Sequence, residues 1–198
     1  MQSSKIWHSF ILCMLMLTTS CTPRPQLNGT VFDTPVEAYN ISGTNYDGAP
    51  FRLSDTQGKI TMVFFGYTFC PDVCPFTLAD LNTVSEELGD KASEMAVVFV
   101  TVDPERDTLE KMAQYVKAFN QTFYGVRVEG DAMEAAKATF GIYAAKSDVQ
   151  TGNDDAYFVD HTAAIYLIDR DGNLRETFLY DAGPEQILPD VEYWLQEG

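Results

Sequence analysis

Two cysteines and one histidine are the side chains whose types and spacing could do chemistry in this sequence. Cys70 and Cys74 stand four positions apart, with three residues between them, within Gly66–Pro75, which lies between an apolar run of strand length and a stretch with helical spacing. A thiol at a helix N-terminus feels the partial positive charge of free backbone N–H groups, which lowers its pKa and favours the thiolate. Thiolates attack disulfides and bind metals, so the pair predicts either a redox couple or a metal site, and alone does not decide between them.

The positions of the cysteines and histidines show that these three residues are the only ones of their types in the expected folded domain. Of four cysteines, Cys13 lies in an apolar N-terminal segment and Cys21 directly follows that segment. Only Cys70 and Cys74 remain for the folded domain. One of the two histidines also lies in the N-terminal segment, which leaves His161 as the only imidazole of the domain.

The elements that must position these residues follow from the hydrophobic pattern. Continuous apolar runs are typical of strands buried on both faces, and they occur at Ile60–Phe65, Ala96–Val102 and Ala163–Ile168. Helical spacing occurs at Cys74–Leu88, Thr108–Phe119, Asp131–Phe140 and Glu185–Gln196. Shorter strands are predicted at Tyr39–Tyr46, Phe51–Leu53 and, after a turn, Leu174–Tyr180. This order predicts an α/β, thioredoxin-like fold: a mixed central sheet with helices on both faces and an N-terminal strand extension.

His161 lies just ahead of the third buried strand. Thioredoxins place a cis-proline immediately before the corresponding strand, packed against their cysteine pair, so the predicted order brings His161 into that neighbourhood. Two thiolates and one imidazole form a soft ligand set of low coordination number that suits Cu(I), whereas zinc favours a fourth ligand. We expect Asp160 to orient the imidazole and Asp103 to support the site from outside the ligand set.

Three separated segments resemble the Sco/SenC family of copper chaperones. They are Gly66–Leu78, Val102–Thr108 and Asp160–Thr162, and the similarity extends from about Val36 to the C-terminus. The sequence departs from the family at Phe76, where threonine is common. Three motifs in the right order are far more specific than a lone cysteine pair.

The resemblance implies a function, a cofactor and partners. The family's metal ligands fall on Cys70, Cys74 and His161, with Cys70 and Cys74 also forming a redox disulfide. The expected cofactor is copper, as Cu(I) and also as Cu(II). The implied role is to deliver copper to, or to reduce the cysteines of, the binuclear copper centre of cytochrome c oxidase during assembly. Expected partners are the copper-receiving oxidase subunit or another cuproprotein, and a thioredoxin-like reductant.

Two other functions stay open at this stage. A general thiol–disulfide oxidoreductase would use Cys70 to attack a partner disulfide and Cys74 to resolve the mixed disulfide. A thiol peroxidase would need an activating threonine or arginine near its cysteine, for which Thr68, Thr77 and Arg106 are the candidates.

The N-terminal segment predicts export. Lys5 precedes the apolar run Phe10–Leu17, which is far shorter than the roughly 20 residues of a membrane-spanning helix. Cys21 after small residues resembles the lipobox of bacterial lipoproteins, although Thr18 stands where leucine is usual. A lipoprotein and an uncleaved anchor both remain open, and both place the domain on the outer, periplasmic side of a membrane.

The expected division of the 198 residues is an export signal at 1–20, a lipid attachment site and tether at 21–35, and a copper-binding domain at 36–198. The formal net charge of −16 argues against binding nucleic acid through a basic patch.

Overall fold

The computed structural model describes residues 25–38, 40–147 and 157–197, and over those residues it contains ten strands and four α-helices. The strands are β1 (Thr30–Glu37), β2 (Ser42–Asn45), β3 (Pro50–Arg52), β4 (Ile60–Gly66), β5 (Met95–Thr101), β6 (Tyr124–Arg127), β7 (Ala144–Lys146), β8 (Val159–His161), β9 (Ala164–Ile168) and β10 (Asn173–Leu179). The helices are α1 (Val73–Glu87), α2 (Leu109–Phe119), α3 (Gly130–Phe140) and α4 (Pro184–Glu197).

Eight of these strands form one mixed sheet in the order β1-β10-β9-β4-β5-β6-β2-β3. The pairs β4–β5 and β5–β6 are parallel, as expected for strands joined by crossover helices, and β9, β10 and β1 extend the sheet in antiparallel fashion. β7 and β8 pair separately as a small hairpin. The predicted thioredoxin-like fold, a mixed central sheet with helices on both faces, is confirmed.

The central strands separate two hydrophobic cores. Because side chains alternate along a strand, Met62 and Phe64 of β4 face one core, which α1, α2 and α4 cover. Val63 and Phe65 face the other core, which α3 covers. Every residue of β4 and β5 is buried, and this explains their uninterrupted apolar sequences.

The sequence pattern missed several elements. The predicted tether at 21–35 overlaps β1, so the folded domain begins at least as early as Thr30, six residues before the expected boundary. β1 escaped notice because it is an edge strand whose residues are mostly exposed and show no regular alternation. β6, β7 and β8 have only three or four residues each, too few for a periodic signal. Part of the predicted strand at 39–46 forms β2, whereas Tyr39 is outside the described residues.

Buried carboxylates fasten the start of the domain to its last helix. Asp190 of α4 accepts hydrogen bonds from the Asn28 backbone at 2.6 Å and from its side-chain amide at 2.9 Å. Glu176 of β10 accepts from the Gly29 N–H at 2.9 Å and from the Trp194 indole at 2.9 Å. Among the described residues, no helix is long and apolar enough to cross a membrane.

Candidate metal centre

Both cysteines lie where β4 gives way to α1. The chain leaves the sheet at Gly66 and turns tightly, with the Cys70 N–H donating to the Tyr67 carbonyl at 3.2 Å. α1 then begins at Val73, so Cys74 occupies its first turn and Cys70 precedes the helix. Cys74 is fully buried, Cys70 is half-buried, and both are free thiols.

A glycine at the end of β4 makes room for the inner sulfur. A Cβ atom built on Gly66 would lie 2.7 Å from Cys74 Sγ and 2.8 Å from the ring of Phe99. Real Cβ atoms do not approach other atoms so closely, and a side chain here would displace the sulfur or the ring. The absence of a side chain at position 66 is therefore a requirement of the cysteine arrangement.

The structure brings His161 to the cysteine pair. His161 ends β8, and its backbone pairs with Ala144 of β7. Its Nε2 lies 3.6 Å from Cys74 Sγ, and the ligand atoms of Cys70, Cys74 and His161 all lie within 4.8 Å of one another. The edge-to-face contact between its ring and the ring of Tyr67, with centroids 5.7 Å apart, limits rotation of the imidazole.

The two thiols differ strongly in acidity. A hydrogen bond with the Cys74 thiol lowers the pKa of Cys70 to about 4, helped by His161 and by backbone N–H groups at the helix start, and opposed by partial burial. The same hydrogen bond, with burial and the nearby Cys70 charge, raises the pKa of Cys74 well above its ordinary value. These opposite shifts favour the thiolate at the more exposed sulfur and the neutral thiol at the buried one.

Asp160 does not orient the imidazole as predicted. Successive side chains of a strand point to opposite sides, and the side chain of Asp160 is exposed while that of His161 turns inward. His161 Nδ1 instead faces the carbonyl oxygen of Thr162 at 3.2 Å. A backbone acceptor here performs the role that the sequence assigned to a carboxylate.

Asp107 holds the cysteine turn. It is fully buried and accepts hydrogen bonds from the Thr68 N–H at 3.0 Å and from the Thr68 hydroxyl at 2.5 Å. The Thr101 hydroxyl, at the end of β5, donates to the same carboxylate at 2.5 Å. The turn that carries Cys70 is thus tied through one carboxylate to the adjacent buried strand. The Thr68 hydroxyl, one candidate for the cysteine-activating role in a peroxidase, thus donates its hydrogen bond to Asp107.

Asp103 and Arg106 hold the segment that leads to His161. Asp103 accepts from the Arg106 Nε at 2.5 Å and from the Tyr157 hydroxyl at 2.7 Å. Arg106 also donates to the Tyr157 carbonyl at 2.7 Å, and its guanidinium lies 3.5 Å from the centroid of the Tyr157 ring. The Phe69 ring lies 5.1 Å from the same guanidinium, so Arg106 sits between the two segments that carry the candidate ligands. The contacts of Asp103 are therefore with Arg106 and Tyr157, in the segment that leads to His161.

An open cleft of about 520 Å³ reaches Cys70 and His161, whereas the fully buried Cys74 is not part of its lining. Its walls include aromatic side chains that the sequence analysis did not single out, namely Tyr67, Phe158 and Tyr180. Tyr67 stands in the cysteine motif and could have been noticed there. Tyr157, Phe158 and Tyr180 lie in segments without a motif, and only the fold brings them to the site. Cys21, the predicted lipid site, is outside the described residues.

Comparisons with known proteins agree with this geometry. The SCO1/SenC family matches residues 36–196. An SCO2-like protein of Rickettsia prowazekii is 29% identical over 180 residues, which cover 88% of this chain and 86% of the relative. The copper-bound structure of Bradyrhizobium japonicum ScoI is 33% identical, with a TM-score of 0.70 over 79% of this chain and 98% of that one. The apo Sco1 structure from Thermus thermophilus is 34% identical, with a TM-score of 0.76 over 85% of this chain and 96% of that one. The chain belongs to the SCO1/SenC family.

Proposed function

We propose that Cys70, Cys74 and His161 bind copper as a cargo, for delivery to the binuclear copper centre of cytochrome c oxidase or another cuproprotein. The observation that carries this proposal is the convergence of two sulfurs and one imidazole nitrogen within 4.8 Å. The copper-bound ScoI, similar over most of both chains, supports the choice of metal. Family membership supports the choice of cytochrome c oxidase as the destination.

The donor atoms favour Cu(I) over zinc. The cluster holds two cysteines and one histidine, and no fourth histidine, cysteine or carboxylate joins it among the described residues. Cu(I) accepts soft sulfur donors at low coordination number, whereas structural zinc takes four ligands. A site with three ligands and an open cleft can also receive a ligand from a partner, which suits release by ligand exchange.

A competition titration tests the copper site. The reduced protein is titrated with Cu(I) in the presence of a chromophoric chelator, alongside His161→Ala and Asp160→Asn. We expect His161→Ala to lose roughly tenfold or more in affinity, about 1.4 kcal/mol. Asp160→Asn, its neighbour on the same strand, should stay within about twofold because Asp160 does not hold the ring. Equal affinity of His161→Ala and the parent protein would refute the three-ligand site.

Thiol–disulfide exchange is the second candidate function, and the unequal thiols favour it. An accessible, acidic Cys70 next to a buried Cys74 matches the division between an attacking and a resolving thiol. In this role the chain would reduce the cysteines of the copper centre, with a thioredoxin-like protein restoring its own dithiol. Only the reduced pair offers two thiol ligands, so the two roles can alternate on one site.

Alkylation with iodoacetamide tests the asymmetry of the two thiols. Since the lowered pKa keeps Cys70 ionised, its alkylation rate should change little between pH 8 and pH 6. An ordinary thiol would slow by about tenfold per pH unit over that range. The Cys74→Ala variant loses the main hydrogen bond to Cys70, and its alkylation should regain the ordinary pH dependence. Faster labelling of Cys74 than of Cys70, measured by mass spectrometry, would show that Cys74, not Cys70, is the attacking thiol.

We also propose that residues 1–20 direct export, that Cys21 carries a lipid, and that the segment between Cys21 and Leu27 tethers the domain outside the cytoplasm. Support comes from the sequence alone, because residues 1–24 are outside the described part of the chain. Incorporation of labelled palmitate into the parent protein, but not into Cys21→Ser, is the expected result. An unlabelled protein of unprocessed length would instead indicate an uncleaved anchor.

A further inference from the structure

The exposed large apolar side chains are concentrated at one end of the domain. Among the described residues, those at the end that holds the candidate metal centre each leave between 52% and 69% of their surface exposed; they are Phe69, Phe76, Tyr143, Leu179 and Tyr180. We call these five residues the apolar rim. Val36, the remaining exposed large apolar residue, lies at the far end of the sheet, where β1 pairs with the start of β10.

Contacts connect Phe69, Tyr143 and Tyr180 to the surroundings of the candidate ligands, and position in the chain places Phe76 and Leu179 near them. Phe69 precedes Cys70 in the turn and stacks on Phe158, which lines the cleft. Phe76 lies in the first turns of α1, two residues after Cys74. On the other side, Tyr143 exchanges backbone and side-chain hydrogen bonds with Thr162, next to His161.

The remaining two members of the apolar rim, Leu179 and Tyr180, lie at the end of β10 and directly after it. Tyr180 lines the cleft together with Cys70 and His161, and Leu179 precedes it at the end of β10. Exposed apolar patches on soluble domains usually mark contacts with other molecules. Tyr180 lines the cleft and Phe69 stacks on Phe158 in its wall, so a partner that covers these two rim side chains also covers the cleft that Cys70 lines.

The charged side chains that line the cleft or follow Tyr180 are acidic, whereas the Arg106 guanidinium, 5.1 Å from the centroid of the Phe69 ring, is paired with Asp103. The charged residues that line the cleft are Asp72 and Asp160, and neither lysine nor arginine lines it. Asp181 and Glu185 follow Tyr180 and are exposed at the start of α4. Glu185 is close enough to α1 to raise the pKa of Asp80 there, after the larger effect of burial. An apolar rim with this acidic surround complements a surface that is apolar at its centre and cationic at its edge.

We propose that the apolar rim is the docking surface for a partner protein whose exposed cysteine pair lies on an apolar loop flanked by lysine or arginine. This inference rests on the proposed function, because it assigns the recognition of the partner at that same site. The charge of −16 disfavours a second copy of this chain and an anionic membrane as the occupant. A membrane would, in addition, close the cleft to any acceptor protein.

The chemistry that docking would promote is a balanced exchange. The Cys70 thiolate attacks one sulfur of the partner's disulfide, a mixed disulfide forms, and the partner's other sulfur leaves as a thiolate that takes up a proton. Cys74 then gives up its proton and attacks Cys70, which releases the partner's second thiolate. Two electrons pass to the partner, which becomes a dithiol, and Cys70 and Cys74 become a disulfide.

The test uses two synthetic peptides as probes of this exchange. Each holds one disulfide between cysteines three residues apart with apolar residues between them, and one is flanked by lysines while its twin is flanked by glutamates. Stopped-flow kinetics with the reduced full chain should give a rate for the lysine peptide at least about tenfold higher at low salt. The ratio should fall towards one at 0.5 M salt, where the Debye length is about 4 Å.

Matched variants compare the effect on the exchange rate of changes in the apolar rim with that of changes at the far end of the domain. Phe76→Ser and Tyr180→Ser should slow exchange with the lysine peptide severalfold, whereas Val36→Ser at the far end should not. Asp181→Asn combined with Glu185→Gln should reduce the preference for lysine, whereas Glu37→Gln should leave it unchanged. All of these positions are exposed, so the variants should fold, and circular dichroism checks this.

Three results would overturn the proposal. Equal exchange rates for the two peptides at low salt would exclude a partner whose cysteine loop is flanked by cationic residues. Binding to phosphatidylglycerol vesicles that Phe76→Ser abolishes would assign the rim to a membrane, and self-association abolished by the same change would assign it to a second copy. Copper affinity is measured on every variant, because unchanged copper binding with failed docking refutes this inference alone, whereas absent copper binding refutes the proposed function.

Discussion

The two halves of the candidate metal centre are built differently. The sulfur side, residues 66–74, continues directly from a strand buried on both faces into a long helix, and its inner thiol is fully buried. The imidazole side, residues 157–162, belongs to a two-stranded hairpin outside the main sheet. Its connection to the sulfur side passes through the side chains of Asp103, Arg106 and Tyr157.

This difference predicts that the sulfur side is rigid and that the imidazole side can move more easily. Moving the sulfur side would disturb two buried strands and a long helix, whereas moving the imidazole side would break a few hydrogen bonds, one stacked guanidinium, the contact with the Tyr67 ring and the packing of Val159. A site that must hold and then release a cargo needs at least one ligand that moves at low cost. We infer that His161 is that ligand and that the cysteines are the fixed frame.

The largest effect on the sulfur side should come from Asp107→Ala. Removing the carboxylate leaves the Thr68 N–H and the hydroxyls of Thr68 and Thr101 without their acceptor in a buried place. The cost should be about 3 kcal/mol of unfolding free energy, measured by urea denaturation. Asp103→Ala is the matched change on the imidazole side and should cost clearly less. If the two variants lost equal stability, the two sides would be equally rigid.

The next effect concerns the close approach of β4 to the inner sulfur. Gly66→Ala places a methyl group against Cys74 Sγ and the Phe99 ring, and overpacking of this kind should cost about 2 kcal/mol. Copper affinity should fall as well, because the sulfur must shift. Gly48→Ala serves as the control: its φ of +85° makes alanine strained there, but no atom lies within 4 Å of the added Cβ. Gly48→Ala should therefore lose stability and keep its copper affinity.

The sulfur side could be predicted from sequence because its signals are local. An apolar run, a turn with two cysteines and a helical repeat follow one another within about thirty residues. His161 was predicted because elimination left one imidazole and the order of elements placed it near the thiols. In both cases the residue type, cysteine or histidine, was enough to predict a candidate ligand, and the structure added the distances between the ligand atoms.

The imidazole side could not be predicted in the same way. Tyr157 meets Arg106 across 51 positions of sequence, and nothing in its polar surroundings indicates that contact. Asp160 seemed the natural partner of its neighbour, but the alternation of side chains along β8 turns it outward and leaves the Thr162 carbonyl beside the ring. Asp160 and Thr162 both adjoin His161 in sequence, and the direction in which each group points, which the sequence pattern does not give, decides which one faces the ring.

Arg106→Gln should have the smallest effect on stability of the variants considered. Its effect on copper affinity should depend on a single ligand, His161. The change removes a guanidinium that contacts Asp103 and Tyr157 but lies partly at the surface, and it should cost about 1 kcal/mol of unfolding free energy. If Arg106 acts by positioning His161, the variant should also bind Cu(I) severalfold more weakly. A double-mutant cycle gives the decisive measurement: in the His161→Ala background, Arg106→Gln should no longer change the copper affinity. A loss of affinity that persists without His161 would mean that Arg106 acts on the cysteines instead, and the contrast between a fixed and an adjustable side would then fail.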